Sequence, residues 1–197
     1  MYVSIEALAA TVHATAAEKA YTPALEHIAL YETNSEDGEM AAVATDRYII
    51  SRYRPTGAYI LNPSKPTALM HRDTALAIIK AKEPRVTIPE DGAAMVDIPG
   101  AGMNLAFSKH DTATMNYPLV QTFFTDAEEN GPVETAEFGI YAERMDTISK
   151  LVKLYKRAAG LKTAPPVHLV FQGINKAAKV EITENWDMLL MPARRSR

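Results

Sequence analysis

The sequence predicts an α+β fold in which a helix followed by three short antiparallel strands occurs three times along the chain. Three observations support this prediction. Apolar residues at helical spacing mark three helices whose centres are about 70 residues apart. Short apolar runs, separated by turn-forming residues, follow each helix. One pair of runs flanks Asp37-Gly38, and Asp-Gly between two apolar runs is a strong signal for a β-hairpin.

The three predicted helices cover residues 4–18, 71–82 and 142–159. Each has apolar residues three and four positions apart, which places them in one stripe along the helix. Ser4 is a suitable N-cap for the first helix, and Gly160 is a suitable C′ residue for the third. We therefore expect each helix to pack with its apolar stripe inward.

The strands are predicted between these helices and after the last one. Thr45-Asp46 is a sharp polar break in the first group of strands, and its short side chains can satisfy the local backbone. The acidic residues 126–133, which contain Gly-Pro, are the best candidate for a linker. The predicted strands cover residues 25–31, 40–43, 48–53, 67–70, 86–88, 94–98, 103–107, 134–140, 167–171, 178–182 and 186–191.

The composition is that of an ordinary globular chain. Its 197 residues are 47% hydrophobic and 23% charged, which provides enough apolar material for a core. The absence of cysteine excludes disulfides and thiolate metal sites and fits a cytoplasmic location. We find no basic leader and no apolar run near the ~20 residues of a membrane span, so no membrane association is expected. The net charge of −3 argues against nucleic-acid binding by the whole surface, but it allows one basic concave face.

The sequence contains no motif of the common enzyme classes. A Gly-rich phosphate loop, a His-Glu-x-x-His zinc motif and a Gly-x-Ser-x-Gly elbow are all missing. The five histidines are scattered, and His110-Asp111 is a His–carboxylate neighbour pair. Adjacent strand residues point to opposite faces, so this pair is poor evidence for a catalytic dyad. We expect no catalytic residues, no metal site and no cofactor.

Three separated segments resemble the bacterial-type DNA polymerase sliding clamp, the ring-shaped processivity factor that is the beta subunit of DNA polymerase III. The first is Ala44-Thr45-Asp46, between an acidic Asp-Gly hairpin and an apolar strand. The second is Tyr117-Pro118, similar to the start of the family's Phe-Pro-Asp-Tyr segment, although Leu119-Val120 replaces Asp-Tyr. The third and most specific is Leu189-Leu190-Met191-Pro192-Ala193-Arg194, similar to the family's apolar-apolar-Met-Pro-x-Arg ending.

The resemblance implies what each repeat is. A clamp half-domain is a strand, a helix and three strands, and two half-domains form a domain with both helices on the inner face of antiparallel sheets. The family has six such units per chain, whereas this sequence has three, as in a shortened, phage-like clamp. The implied organisation is a complete domain over residues 1–125, with half-units 1–62 and 63–125, then the linker and a third half-unit over residues 134–197.

The resemblance also implies a binding groove. In sliding clamps these three segments line an apolar groove in which peptides of DNA polymerase and of the clamp loader dock, because leucine or aromatic anchors require a concave apolar pocket. Arg47-Tyr48-Ile49-Ile50 stands where the family has Gly-His-Arg-Leu, so we expect a more apolar pocket that takes a different peptide. Ordinary core packing explains Leu25 and Ile50 equally well. The residues at matching positions are Leu25, Thr45, Ile49, Ile50, Pro118, Phe123, Leu190, Met191, Pro192 and Arg194.

Cations on two helices are candidates for contact with duplex DNA. Lys150, Lys153 and Arg157 lie opposite the apolar stripe of the third helix, within roughly 60° of each other. Such a strip could follow phosphates without reading sequence, as a sliding protein requires, and the clamp resemblance favours this role over a merely solvated face. Weaker candidates on the second helix are Arg72, Lys80 and Lys82.

The resemblance therefore implies a processivity factor that tethers a DNA polymerase to duplex DNA through the peptide-binding groove. The alternative is a clamp-derived interaction module, or a decoy, that binds the same peptides without encircling DNA. Because the third unit has no partner unit, it should expose apolar residues, which predicts a homo-oligomer in which two chains share a domain. The competing arrangement is a monomer in which the third unit folds back over the first domain.

Overall fold

The computed structural model describes residues 1–16, 22–82, 84–88, 94–98, 103–107, 115–130, 132, 139–173 and 176–193, with the backbone alone at 94–98 and 103–107. Its α-helices are α1 (Ile5–Thr11), α2 (Arg72–Ala81), α3 (Gln121–Asn130) and α4 (Ala142–Ala158). Two 3-10 turns cover Val12–Ala14 and Pro23–Glu26. The strands are β1 (Tyr2–Ser4), β2 (His27–Tyr31), β3 (Ala41–Thr45), β4 (Ile49–Tyr53), β5 (Ala68–His71), β6 (Arg85–Thr87), β7 (Ala94–Ile98), β8 (Met103–Phe107), β9 (His168–Val170), β10 (Ala178–Thr183) and β11 (Trp186–Leu190).

Seven strands form one antiparallel sheet in the order β5-β2-β3-β4-β11-β10-β9. In the middle of the sheet, β4 of the first unit pairs with β11 of the third unit, from Trp186↔Tyr53 to Leu190↔Ile49. The second unit adds β5 at one edge, while β6 pairs with β1 and β7 pairs with β8 in two small sheets. This differs from the predicted organisation, in which the first and second units form one domain and the third unit stands apart.

The two faces of this sheet pack against different helices, because side chains alternate along a strand. Ile28 and Leu30 of β2 belong to the helix-side core, which includes buried residues of α1, α2 and α4. Ala29 and Tyr31 of the same strand belong to the α3-side core, which includes buried residues of α3. All three units therefore contribute to one helix-side core.

The first helix is shorter than predicted and lies at the centre of the helical layer. Ser4 is its N-cap as expected, with Oγ accepting from the Ala7 amide at 3.3 Å. The helix ends at Thr11, whose hydroxyl donates to the Ala7 carbonyl oxygen at 2.8 Å. Its alanines are buried, and their small side chains let α4 approach closely.

The apolar stripe of α4 is covered within the same chain. Ile148, Val152 and Tyr155 are 3%, 7% and 7% exposed, because α1 and the sheet pack over them. Trp186 Nε1 of the third unit donates to Ser51 Oγ of the first unit at 2.8 Å, and Ser51 Oγ in turn donates to the Ala10 carbonyl oxygen of α1 at 2.7 Å. The expected exposure of this stripe, on which the shared-domain dimer depended, is wrong.

A helix, α3, stands where the linker was predicted to begin. Val120, Phe124 and Ala127 are buried against the sheet at i, i+4 and i+7, a helical pattern that the acidic composition hides. One of the acidic residues has a structural role, since Glu128 pairs with the buried Arg52 at 2.9 Å. The strand predicted over residues 134–140 lies almost wholly outside the described residues.

The other predicted elements agree with the structure to within a few residues. The Asp37-Gly38 turn, the three main helices and the strand pairs around them are where the sequence places them. Gly160 follows α4 with φ +64°, the left-handed conformation of a C′ glycine. A helix able to span a bilayer is absent from the described part of the chain.

Candidate functional site

A pocket of about 400 Å³ opens on the α3 side of the sheet, and we call it the groove. Six residues predicted from the sequence line it, namely Leu25, Thr45, Ile50, Pro118, Phe123 and Met191. Four further residues line it that the sequence analysis missed, namely Thr22, Arg47, Asn116 and Val120. An adjoining recess of about 270 Å³ shares Phe123 and Met191 with the groove, so that together they form an extended depression.

The remaining predicted groove residues lie elsewhere or are not described. Ile49 and Leu190 are paired across β4 and β11 and are buried in the helix-side core. The physical reason is strand alternation, which sends Ile50 and Leu189 to the α3 side instead. Pro192 is partly buried but does not line the groove, and Arg194 lies outside the described residues.

Three separate segments are held together at this place. The segment before α3 is attached to β3 by Tyr117, which is buried and donates its hydroxyl proton to the Val43 carbonyl oxygen at 3.2 Å. Burial raises the pKa of the Tyr117 phenol well above its usual value, so the hydroxyl remains a donor. At the end of β11, the Met191 amide donates to the Tyr48 carbonyl oxygen at 2.8 Å. The walls of the groove are thereby fixed to the first unit, at β3 and at the turn before β4.

The Thr45-Asp46 break forms a tight turn at one end of the groove. Asp46 Oδ1 accepts from the amides of Tyr48 and Ile49 at 2.9 and 2.8 Å. The other carboxylate oxygen, Oδ2, pairs with Arg144 of α4, whose guanidinium lies 4.4 Å from the centre of the Tyr48 ring. The carboxylate of Asp46 is therefore satisfied by the backbone and by a cation from the third unit.

Arg47 follows this turn in a left-handed conformation with φ +81°. Its backbone amide donates to Thr45 Oγ1 at 3.0 Å, and its guanidinium donates to Thr22 Oγ1. Arg47 stands where the clamp pattern has glycine, the residue that adopts this conformation without steric penalty. The side chain is exposed at the rim of the groove.

The predicted DNA-contacting residues lie on the helical layer, on the opposite side of the sheet. Lys80, Lys82 and Arg157 line one cleft of about 720 Å³ with Glu6, between α2, the start of α1 and the end of α4. Its apolar floor includes Leu76 and Ile79 of α2 and Leu154 of α4. Cations of the second and third units therefore converge here.

A second group of cations lies near the end of α1. Burial of His13, together with the positive charges of Arg72 and Lys150, lowers the pKa of its imidazole, which places both cations near this ring. Lys150 also pairs with Asp146 at 2.7 Å, which partly neutralises it. Lys153 is exposed on α4. Within the ranges described, no cluster of three histidine, aspartate or glutamate side chains could hold a metal ion.

Neither protein-family models nor curated protein sequences gave a match to this chain. Solved structures of bacterial clamps are similar to it. For the DNA polymerase III subunit beta from Borrelia burgdorferi, in complex with a natural product, the likeness covers 100% of this chain and 64% of that one, at 9% identity and TM-score 0.61. For the sliding clamp from Bacillus subtilis, the likeness covers 100% of this chain and 64% of that one, at 12% identity and TM-score 0.59. For the sliding clamp from Bartonella birtlesii bound to griselimycin, the likeness covers 98% of this chain and 66% of that one, at 12% identity and TM-score 0.57.

The chain spans between 64% and 66% of the length of these three clamps. The likeness extends over nearly the whole of this chain in each case, although few residues are identical. This chain has the fold of the bacterial DNA sliding clamp.

Proposed function

We propose that this chain is a clamp-like processivity factor, which docks a peptide of its DNA polymerase or clamp loader in the groove and contacts duplex DNA through the helical layer. The observation that carries the proposal is the groove itself. Leu25, Ile50, Pro118, Phe123 and Met191 come from distant parts of the chain and form one apolar depression beside polar groups. Depressions of this kind receive extended peptides with apolar anchors.

The size and lining of the groove fit a modest affinity. A volume of about 400 Å³ can hold one or two large side chains. Each leucine or phenylalanine anchor that leaves water contributes about 1.5–3 kcal/mol. Two anchors thus supply roughly half of the ~8 kcal/mol that corresponds to a micromolar dissociation constant. Backbone hydrogen bonds and polar rim contacts would supply the rest.

The groove is tested best with the two side chains that the groove and the recess share. Phe123 is 46% exposed, so its truncation should disturb the fold little. We expect Phe123→Ala combined with Met191→Ala to weaken a short peptide with Leu and Phe anchors at least tenfold, or about 1.4 kcal/mol. The matched control is Tyr59→Ala combined with Leu61→Ala, two exposed apolar residues outside the groove. Calorimetry that gave equal affinities for both double variants would refute this site.

DNA contact is proposed from the cations of α2 and α4 on one side of the sheet. Lys80, Lys82 and Arg157 line one cleft, and Arg72 and Lys150 lie near His13 at the other end of α1. Phosphate contacts of this kind depend on counterion release, so binding should be weak, independent of sequence and steeply dependent on salt. The net charge of −3 argues against DNA binding by the whole surface and is compatible with binding by one face.

Charge reversal tests this contact. Changing Lys150, Lys153 and Arg157 to Glu should lower affinity for duplex DNA equally across sequences and reduce the log–log salt slope by about 2–3. The single variants Lys153→Glu and Lys179→Glu form a matched pair, because they change the net charge equally. Lys179 belongs to β10 and pairs with Glu181 at 2.9 Å, away from the helical layer. Equal salt slopes for these two variants would mean that the helical cations are merely solvated.

The second candidate is a module that docks the same peptides without encircling DNA. Its support is the joint between β4 and β11, through which the first and third units close on each other in a single chain. Under this alternative the peptide experiment succeeds and the charge-reversal experiment shows no effect. The two experiments together therefore distinguish the two candidates.

A further inference from the structure

The rim of the groove contains an arginine in an unusual backbone conformation. Arg47 has φ +81°, and among the described non-glycine residues only Lys82 shares a positive φ. Side chains other than glycine adopt this region with a steric penalty. The turn around Asp46 maintains the conformation and directs the side chain of Arg47 to the groove.

Among the residues that the structure describes, no carboxylate neutralises the charge of Arg47. Its neighbour Asp46 is already bonded to two backbone amides and to Arg144. The hydrogen bond to Thr22 uses one of the five N–H donors of the guanidinium. The group is therefore positioned and still has donors available.

We propose that Arg47 binds an acidic side chain of the docked peptide, so that the groove selects peptides with aspartate or glutamate beside their apolar anchors. The inference rests on the proposed function of the groove. A guanidinium can hold a carboxylate through two parallel hydrogen bonds. Ile50 and Met191 of the same groove would hold the apolar anchors beside this pair.

The charges around the depression also indicate where the acidic residue lies. The recess beyond Phe123 and Met191 is lined by both Asp126 and Lys176, whose opposite charges leave it without a net charge to attract a carboxylate. Arg47 lies at the other end, beside Thr45 and Thr22. The acidic residue of the peptide is therefore expected on the Arg47 side of the anchors, which fixes the direction of the peptide.

The experiment uses a series of short peptides with acetylated N-termini, amidated C-termini and Leu and Phe anchors. Each peptide has one aspartate, placed at a different non-anchor position in each member of the series. Each is compared with its twin, the same peptide with asparagine in place of the aspartate. Fluorescence anisotropy with the full chain should show that the best aspartate peptide binds about two- to fivefold more tightly than its twin at low ionic strength. The preference should vanish in Arg47→Gln and Arg47→Gly, persist in part in Arg47→Lys, and shrink at high salt. Arg47→Gly is compatible with the positive φ, so a folded variant without the charge is available.

Lys65→Gln is the control, because it removes an exposed cation that lines neither the groove nor the cleft of the helical layer. It should leave the preference unchanged. Equal affinity of every aspartate peptide and its twin, or a preference that survives in Arg47→Gln, would overturn the role of Arg47 while the groove still bound peptide. Failure of every peptide to bind would instead overturn the proposed groove, and this inference with it.

Discussion

Replacing Arg52 with alanine should release α3 from the sheet and remove one wall of the groove. Arg52 lies on β4, 4% exposed. Its guanidinium bonds Asp187 at 3.0 and 2.6 Å and Glu128 of α3 at 2.9 Å. The same group lies 3.7 Å from the centre of the Phe124 ring. One side chain thus connects the sheet to the helix that presents Phe123.

The exposures of the two carboxylates determine the size of the effect. The Asp187 side chain is 13% exposed, and breaking a buried ion pair costs about 3–5 kcal/mol because the other charge is left uncompensated. The Glu128 side chain is 47% exposed, and such a pair contributes about 0–1 kcal/mol. We therefore expect Arg52→Ala to lower the free energy of unfolding by about 3–5 kcal/mol and Glu128→Gln by less than about 1 kcal/mol.

Urea denaturation measures the loss of unfolding free energy in Arg52→Ala and in Glu128→Gln. A double variant shows how much of the loss in Arg52→Ala comes from the uncompensated charge of Asp187. Arg52→Met combined with Asp187→Leu removes both buried charges, so it should recover most of the stability lost in Arg52→Ala. Hydrogen exchange should accelerate in the amides of α3 in Arg52→Ala, but not in Glu128→Gln. Similar small losses in Arg52→Ala and Glu128→Gln, with α3 equally protected in both, would refute the anchoring argument.

Two further predictions concern the helical layer. Ile148→Asp should lower the free energy of unfolding by several kcal/mol, since Ile148 is 3% exposed inside one chain. The exposed Lys153 provides the control, because Lys153→Asp should have little effect. If the Ile148→Asp protein stayed folded and only its sedimentation coefficient changed, the apolar stripe of α4 would instead lie between chains. Burial and the positive charges of Arg72 and Lys150 lower the pKa of the His13 imidazole in the folded chain. As the pH falls, the imidazole therefore takes up its proton in the unfolded chain before it does so in the folded chain, and stability should fall as the pH drops through about 6.5. His13→Gln should flatten this dependence in urea titrations between about pH 8 and pH 5, and an unchanged profile would contradict the assigned environment.

The local elements of this fold were predictable because they depend on neighbouring residues. The turn at Asp37-Gly38, the N-cap at Ser4 and the left-handed Gly160 follow from short-range backbone preferences, and the structure contains all three. Six of the ten predicted groove positions line one pocket. The resemblance located these segments through motif positions.

Other features depended on which partner covers an apolar surface. The α3 helix was hidden because its acidic residues resembled a linker, whereas Phe124 and Ala127 at helical spacing become meaningful only beside the sheet. Ile49 and Leu190 were assigned to the groove because their segments matched, but a one-residue difference in register moves a strand side chain to the other face. Arg47 was noted as a departure from the clamp pattern, yet its role at the rim required the backbone angle.

The sequence by itself determined the order of the three main helices and of the strands between them, and the position of the turns, while the resemblance located the segments that contribute to the groove. Periodicity and turn chemistry report which side of an element is apolar, and this information is local. Only the tertiary structure decided that β4 pairs with β11 and that α1 covers Ile148 and Tyr155. Those pairings bring together residues more than a hundred positions apart, and an apolar stripe is equally satisfied by any partner of matching shape. The choice of partner is a property of the whole core, because all its members must be buried at once.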